Sequence, residues 1–93
     1  MITLKQMLKI TNQGGTCPYQ AEGTIGIGNC LFYFRSRNQH WSFEVTYPYA
    51  DGEIAWQYSE KYSDDPHAAG YITHEEANKF INKAANIYYE TNP

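Results

Sequence analysis

Residues 17–45 read CPYQAEGTIGIGNCLFYFRSRNQHWSFEV, and the way this stretch pairs with itself decides the fold. Two segments that alternate apolar with polar residues flank Asn38-Gln39. Alternation at period two marks a strand with one wet face, and a two-residue loop between such strands makes a hairpin. The loop pairs Arg37 with His40, Ser36 with Trp41, Arg35 with Ser42, Phe34 with Phe43, Tyr33 with Glu44 and Phe32 with Val45. Phe32, Phe34, Trp41, Phe43 and Val45 then share one face. A slip of one residue would split every apolar pair, so this register is strongly specified. The opposite face gathers Tyr33, Arg35, Arg37, His40, Ser42 and Glu44, and with them both arginines of the chain.

The segment before it extends the sheet. Pro18 to Ile25 reads as a strand, with proline at its first position, where no ladder donor is needed. A turn over Gly26-Ile27-Gly28-Asn29 brings the chain back and pairs Ile25 with Cys30. Gln20 then meets Arg35 and Glu22 meets Tyr33, both on the polar face. Ala21 and Gly23 fall on the core face, where small residues would let a helix approach. The same register sets Cys17 opposite Asn38, eight positions from Cys30. At ~3.3 Å per residue that is far beyond disulfide reach, so two free thiols are expected.

Working outward, the second and third strands run over Cys30–Arg37 and Trp41–Thr46. Tyr47-Pro48-Tyr49 ends the latter, since proline cannot donate to a ladder. Glu53 to Tyr58 makes a fourth strand after the Ala50-Asp51-Gly52 turn. Upstream, Thr3 and Gln6 have capping-box spacing, and Leu4, Met7 and Leu8 fall on one helical stripe. A short helix from about Leu4 to Ile10 follows, ended by Asn12-Gln13-Gly14-Gly15. Downstream, Ser63-Asp64-Asp65-Pro66-His67 is a polar loop. Thr73 and Glu76 repeat the capping-box spacing, and Ala77, Phe80, Ile81, Ala84, Ala85 and Tyr88 form one apolar stripe, with Glu75, Asn78, Lys79, Asn82, Lys83 and Asn86 opposite. The expected fold is α+β in one domain, residues 1–93. It has a short N-terminal helix, an antiparallel sheet of about four strands, and a C-terminal amphipathic helix on the aromatic face.

Composition narrows the function. Ninety-three residues make a small core, and nine tyrosines, four phenylalanines and two tryptophans fill it rather than marking disorder. Seven basic residues against ten acidic give a formal charge of −3, with no basic tract. That argues against general nucleic-acid binding, which needs a concentrated basic surface. The first ten residues, MITLKQMLKI, lack the long apolar core of a signal peptide, and no stretch approaches the roughly 18–20 apolar residues of a membrane span. A cytoplasmic protein without membrane association is the expectation.

Gln20, Glu22, Tyr33, Arg35, Arg37 and Glu44 are the sharpest candidate site. Arginine offers a planar fork for carboxylate or phosphate, and tyrosine can stack on a ring or donate a hydrogen bond. An anionic small molecule, such as a nucleotide, suits that face. The competing structural account is a cross-strand Glu22–Arg35–Glu44 ion network on the wet side of the sheet. Tyr47, Tyr49, Tyr58, Tyr62 and Tyr71 form a second candidate, either a protein interface or the closure of a small core. Cys17, Cys30, His40, His67 and His74 have no zinc-ligand spacing, so neither metal nor cofactor is expected. There is no nucleophile elbow or phosphate loop. Glu22 and Glu44 would serve as acid and base only inside a closed pocket.

The run Cys17-Pro18-Tyr19-Gln20-Ala21-Glu22-Gly23, then Tyr33-Phe34-Arg35-Ser36-Arg37 and Trp41, resembles a pattern in small proteins of bacteria and their phages. Its form is C-P-x-Q-x-E-G followed by an aromatic-rich Y-x-R-x-R strand, and it covers about the first half of the chain. The resemblance carries no known activity; it implies that inhibition of a host defence protein belongs among the readings. The leading expectation is a non-catalytic binding module for an anionic ligand on the Tyr33/Arg35/Arg37 surface. A phage-type inhibitor acting through its tyrosines and acidic loop is second, and an enzyme using Glu22 and Glu44 third. A homodimer that covers the Arg–Tyr face is a further possibility.

Overall fold

Five strands, not four, form one antiparallel meander in the order in which they occur along the chain. In the computed structural model, which describes residues 8–16, 18–26, 30–47 and 54–91, these are β1 (Lys9–Gly14), β2 (Tyr19–Ile25), β3 (Cys30–Arg37), β4 (His40–Thr46) and β5 (Ile54–Lys61). A 3-10 turn (Ala68–Tyr71) and one helix, α1 (His74–Thr91), follow. No helix among the described residues is long and apolar enough to cross a membrane.

The β3–β4 pairing has the register its alternation dictates, from Leu31 opposite Thr46 to Arg37 opposite His40. β2 and β3 pair from Tyr19 opposite Ser36 to Ile25 opposite Cys30. Between β3 and β4, Asn38 takes a φ of 60°. Asparagine tolerates this left-handed region because its short polar side chain can bond locally. The hairpin tip is then strapped down: the Gln39 carbonyl accepts from the Tyr62 amide at 2.6 Å, and the Asn38 carbonyl accepts from the Ala69 amide at 2.9 Å.

The helix expected over Leu4–Ile10 is overturned at its described end, where Lys9 and Ile10 open β1; residues 4–7 lie outside the described residues. The physical reason is the edge of β2, whose backbone groups gain partners from a fifth strand. Leu8 and Ile10, two apart, both pack on the core, which suits a strand as well as any helical stripe. β1 carries a bulge between Ile10 and Asn12, and Thr11 at the bulge donates its hydroxyl to the Glu22 carbonyl at 3.2 Å.

Gly23 is small for a different reason from the one its sequence suggests. A Cβ there would sit 1.9 Å from the Lys9 carbonyl oxygen and 2.7 Å from Phe32 Cε2. The β1 backbone and the cross-strand phenyl ring need the space, not the helix. The expected Ala50–Gly52 turn and most of the Gly26–Asn29 turn lie outside the described residues; Gly26 itself has a φ of 80°.

The core lies between the sheet and α1. Phe32, Phe34, Trp41, Phe43 and Val45 are buried, together with Ala77, Ile81, Ala84 and Ala85 from the helix. Trp41 stacks on Phe80 with ring centroids 5.1 Å apart, and Trp56 meets Tyr88 edge-on at 5.3 Å. Burying each large side chain contributes roughly 1.5–3 kcal/mol, so these rings dominate the stability of a small domain. The helix begins with the capping box: the Glu76 amide donates to Thr73 Oγ1 at 3.1 Å, and the Thr73 amide donates to Glu76 Oε1 at 3.3 Å.

Candidate functional site

With α1 on one side, the polar residues of every strand meet on the other. The register lays them out in rows across the sheet. Gly14, Gln20, Arg35, Ser42 and Ser59 make one row; Asn12, Glu22, Tyr33, Glu44 and Gln57 make the next. Beyond the first lies a row of Arg37, His40 and Lys61, and beyond the second a row of Lys9, Thr24, Leu31, Thr46 and Ile54. All six residues of the ligand-binding candidate therefore share this outer face. Gln20, Glu22 and Arg37 are exposed, while Tyr33, Arg35 and Glu44 are half-buried among neighbouring side chains.

The charge on this face opposes that of the chain. Lys9, Arg35, Arg37 and Lys61 stand against two carboxylates, Glu22 and Glu44, although the formal net charge is −3. The cross-strand ion network is not formed. Among the described residues the ion pairs are Lys61–Asp64 and Lys83–Glu60, so neither arginine is held by a carboxylate. Among the described residues, the Arg35 Nε is buried with no protein acceptor, as the Ser36 and Tyr89 hydroxyls are without partners elsewhere. Such a donor is costly to leave unmatched, which favours an acceptor arriving from outside.

Small residues between long ones leave open depressions in the face. One, of ≈ 320 Å³, runs along Asn12, Gly14, Gln20, Glu22 and Tyr33. Another, of ≈ 350 Å³, lies over Ser42, Gln57 and Ser59. Both are shallow, so a ligand here would lie along the sheet rather than inside the protein.

The tyrosine candidates divide. Tyr47 and Tyr71 are 45% and 65% exposed, and Tyr49 lies outside the described residues. Tyr58 and Tyr62 instead turn toward the helix. The Tyr58 ring packs on Trp41 and Trp56, and its hydroxyl donates to Glu60, which also holds Lys83 at 2.6 Å. The bond to Glu60 raises the Tyr58 pKa, the Lys83 ammonium lowers that of Glu60, and Glu60 raises that of Lys83. Tyr62 packs edge-on to Phe80 and donates to Glu76 at 2.7 Å, which raises its pKa in the same way.

Sequence reasoning missed one polar cluster. His74, exposed at the helix start, has its Nδ1 2.6 Å from the hydroxyl of buried Tyr19. Gln13 Nε2 donates to the same hydroxyl at 2.7 Å and to Asn78 Oδ1 at 3.3 Å. These contacts join β1, β2 and α1, and no local pattern signals partners so distant in the chain. Lys61 was missed on the outer face as well; the Gln57-Ser59-Lys61 alternation was its signal. Cys30 is a free, half-buried thiol, and Cys17 lies outside the described residues. Among the described residues, no three His, Cys, Asp or Glu side chains converge as metal ligands would.

Comparison with protein-family models, with curated proteins and with solved structures finds no match.

Proposed function

We propose that this domain is a non-catalytic binding module that holds an anionic small molecule, with nucleotides as the leading class, on the outer face of its sheet. Arg35 and Arg37 supply the cationic contacts, Tyr33 a ring to stack on, and Gln20, Glu22 and Glu44 polar contacts to the rest of the ligand. The observation that carries this reading is the state of the arginines: among the described residues neither guanidinium has a carboxylate partner, and one has a buried donor with no acceptor. Catalysis by Glu22 and Glu44 would need them enclosed. They lie on neighbouring strands either side of Tyr33, on an open face, which favours binding over chemistry.

A thermal-shift panel of nucleotides and simple anions tests the proposal. Binding raises the melting temperature by an amount set by ligand concentration over Kd. The shift should vanish in Arg35→Ala, and a panel with no shift for the unaltered protein would reject the reading. The exposed Tyr71, close in sequence to Asp64 and Asp65, supports a second reading as a phage-type inhibitor of a host protein. In that case Tyr71→Ala should release a co-purifying partner while Arg35→Ala should not.

A further inference from the structure

We propose, on the basis of that reading, that the anion is seated at the β4–β5 corner of the outer face, and that its class is a chain of two or more linked phosphoryl groups. The seat comprises Arg35, Arg37, His40 and Lys61 around a floor of Ser42 and Ser59. Its geometry follows from the register: Arg37, His40 and Lys61 occupy adjacent strands in one row, and Arg35, Ser42 and Ser59 occupy the next. Neighbouring strands are ~4.8 Å apart and same-face rows ~6.6 Å apart along the strand. Three cations and an imidazole ring therefore share one corner of the face with a depression of ≈ 350 Å³ lined by Ser42, Gln57, Tyr58 and Ser59.

The chemistry narrows the ligand. A single carboxylate is satisfied by one arginine fork, whereas this corner offers two forks, an ammonium, a ring nitrogen and two hydroxyls. Linked phosphates present enough charge and enough oxygens for all of them. The two carboxylates of the face, Glu22 and Glu44, stand one row further from Arg37 and Lys61 than Arg35 does, alongside Tyr33. That end takes the uncharged part of the ligand. Mutual repulsion among Arg35, Arg37 and Lys61 opposes folding, and a polyanion bound at this corner would offset it.

Lys61 is held by Asp64, whose side chain is 94% exposed. Such a surface pair contributes little to stability, but it competes with an incoming anion. Removing the competitor should therefore improve binding, a gain that a purely structural role for Lys61 does not produce.

Isothermal titration with inorganic pyrophosphate at low salt tests the seat, with far-UV circular dichroism confirming that each variant is folded. Lys61→Gln and Arg37→Gln should each weaken binding by roughly tenfold, the loss of one charge-assisted contact. Asp64→Asn should tighten it about two- to fivefold. Lys9→Gln, at the far end of the same face, should bind as the unaltered protein does. If Arg35→Ala abolishes binding while Lys61→Gln and Asp64→Asn leave it unchanged, the seat is elsewhere on the face and only the broader proposal stands. If neither pyrophosphate nor any nucleotide binds the unaltered protein, both proposals fall.

Discussion

Replacing Gly23 by alanine adds one methyl group at the most crowded of the described glycines. The new Cβ would lie 1.9 Å from the Lys9 carbonyl oxygen and 2.7 Å from Phe32 Cε2. Atoms do not approach so closely, so β1 must separate from β2 and the Phe32 ring must also shift from its place against Phe43, where the centroids are 5.1 Å apart. The first costs strand hydrogen bonds and the packing of Ile10; the second disturbs the core. Overpacking typically costs about 1–3 kcal/mol, and the upper part of that range applies because the nearest obstacle is paired backbone rather than a movable side-chain tip. A domain of this size has roughly 5–14 kcal/mol in all. At about 4–8 °C per kcal/mol, the melting temperature should fall by roughly 10–20 °C. Tryptophan fluorescence against temperature and urea reads the loss, and hydrogen exchange at the β1 amides shows whether the first strand is what loosens. Gly26→Ala is the control: its φ is 80° but a Cβ there meets nothing within 4 Å, so it reports backbone strain alone. A Gly23→Ala protein melting within about 2 °C of the parent would refute the β1 register and the placement of Phe32.

Three further expectations follow from the same geometry. Asn38→Gly should leave stability nearly unchanged and Asn38→Val should cost about 1–2 kcal/mol by chemical denaturation, because the φ of 60° is strained for a β-branched residue. Thr73→Ala should cost about 1 kcal/mol, the typical loss on removing an N-cap hydroxyl, with the change seen in helical circular dichroism melts. Glu60, whose pKa is lowered by Lys83 and Tyr58, stabilises the fold above its ordinary value of 4.5. That contribution should be lost as pH falls from there through the lowered folded value. The urea midpoint should therefore drop on acidification below that point, and Glu60→Gln should flatten that part of the profile.

How far the fold could be read from the chain depended on whether its cause was local. The β3–β4 register was legible because only one alignment puts Phe32, Phe34, Trp41, Phe43 and Val45 together, and that alignment is set by a two-residue loop. The start of α1 was legible because Thr73 and Glu76 need only each other. β1 was not: Leu4, Met7 and Leu8 satisfy a helical stripe, and the strand is favoured only by the open edge of β2, supplied after the Gly14–Gly15 turn. β5 was ended early at Tyr58, because Glu60 is a carboxylate at a position that faces the helix. Its alternation reads as broken until Lys83 and the Tyr58 hydroxyl are seen beside it. The arginine face was readable as a set of residues, since it is the complement of the apolar register. That neither arginine pairs with a carboxylate among the described residues was not, because side chains on diagonal neighbours can either meet or miss.

The two sides of the sheet can be altered separately, and that separation is what makes the functional proposals testable. Every large side chain with less than 2% exposure lies on the helix side or under it, including Phe34 and Phe43, which touch neither arginine's row from the outer face. Among the described residues, side chains on the outer face are exposed or half-buried and share no ion pair with the helix. Substituting Arg35, Arg37 or Lys61 therefore removes charge without opening a cavity, and relief of their mutual repulsion offsets any lost packing of the aliphatic stems. Both arginines stand on that face, against the sign of the whole chain, so substituting them tests the proposed anion site separately from stability.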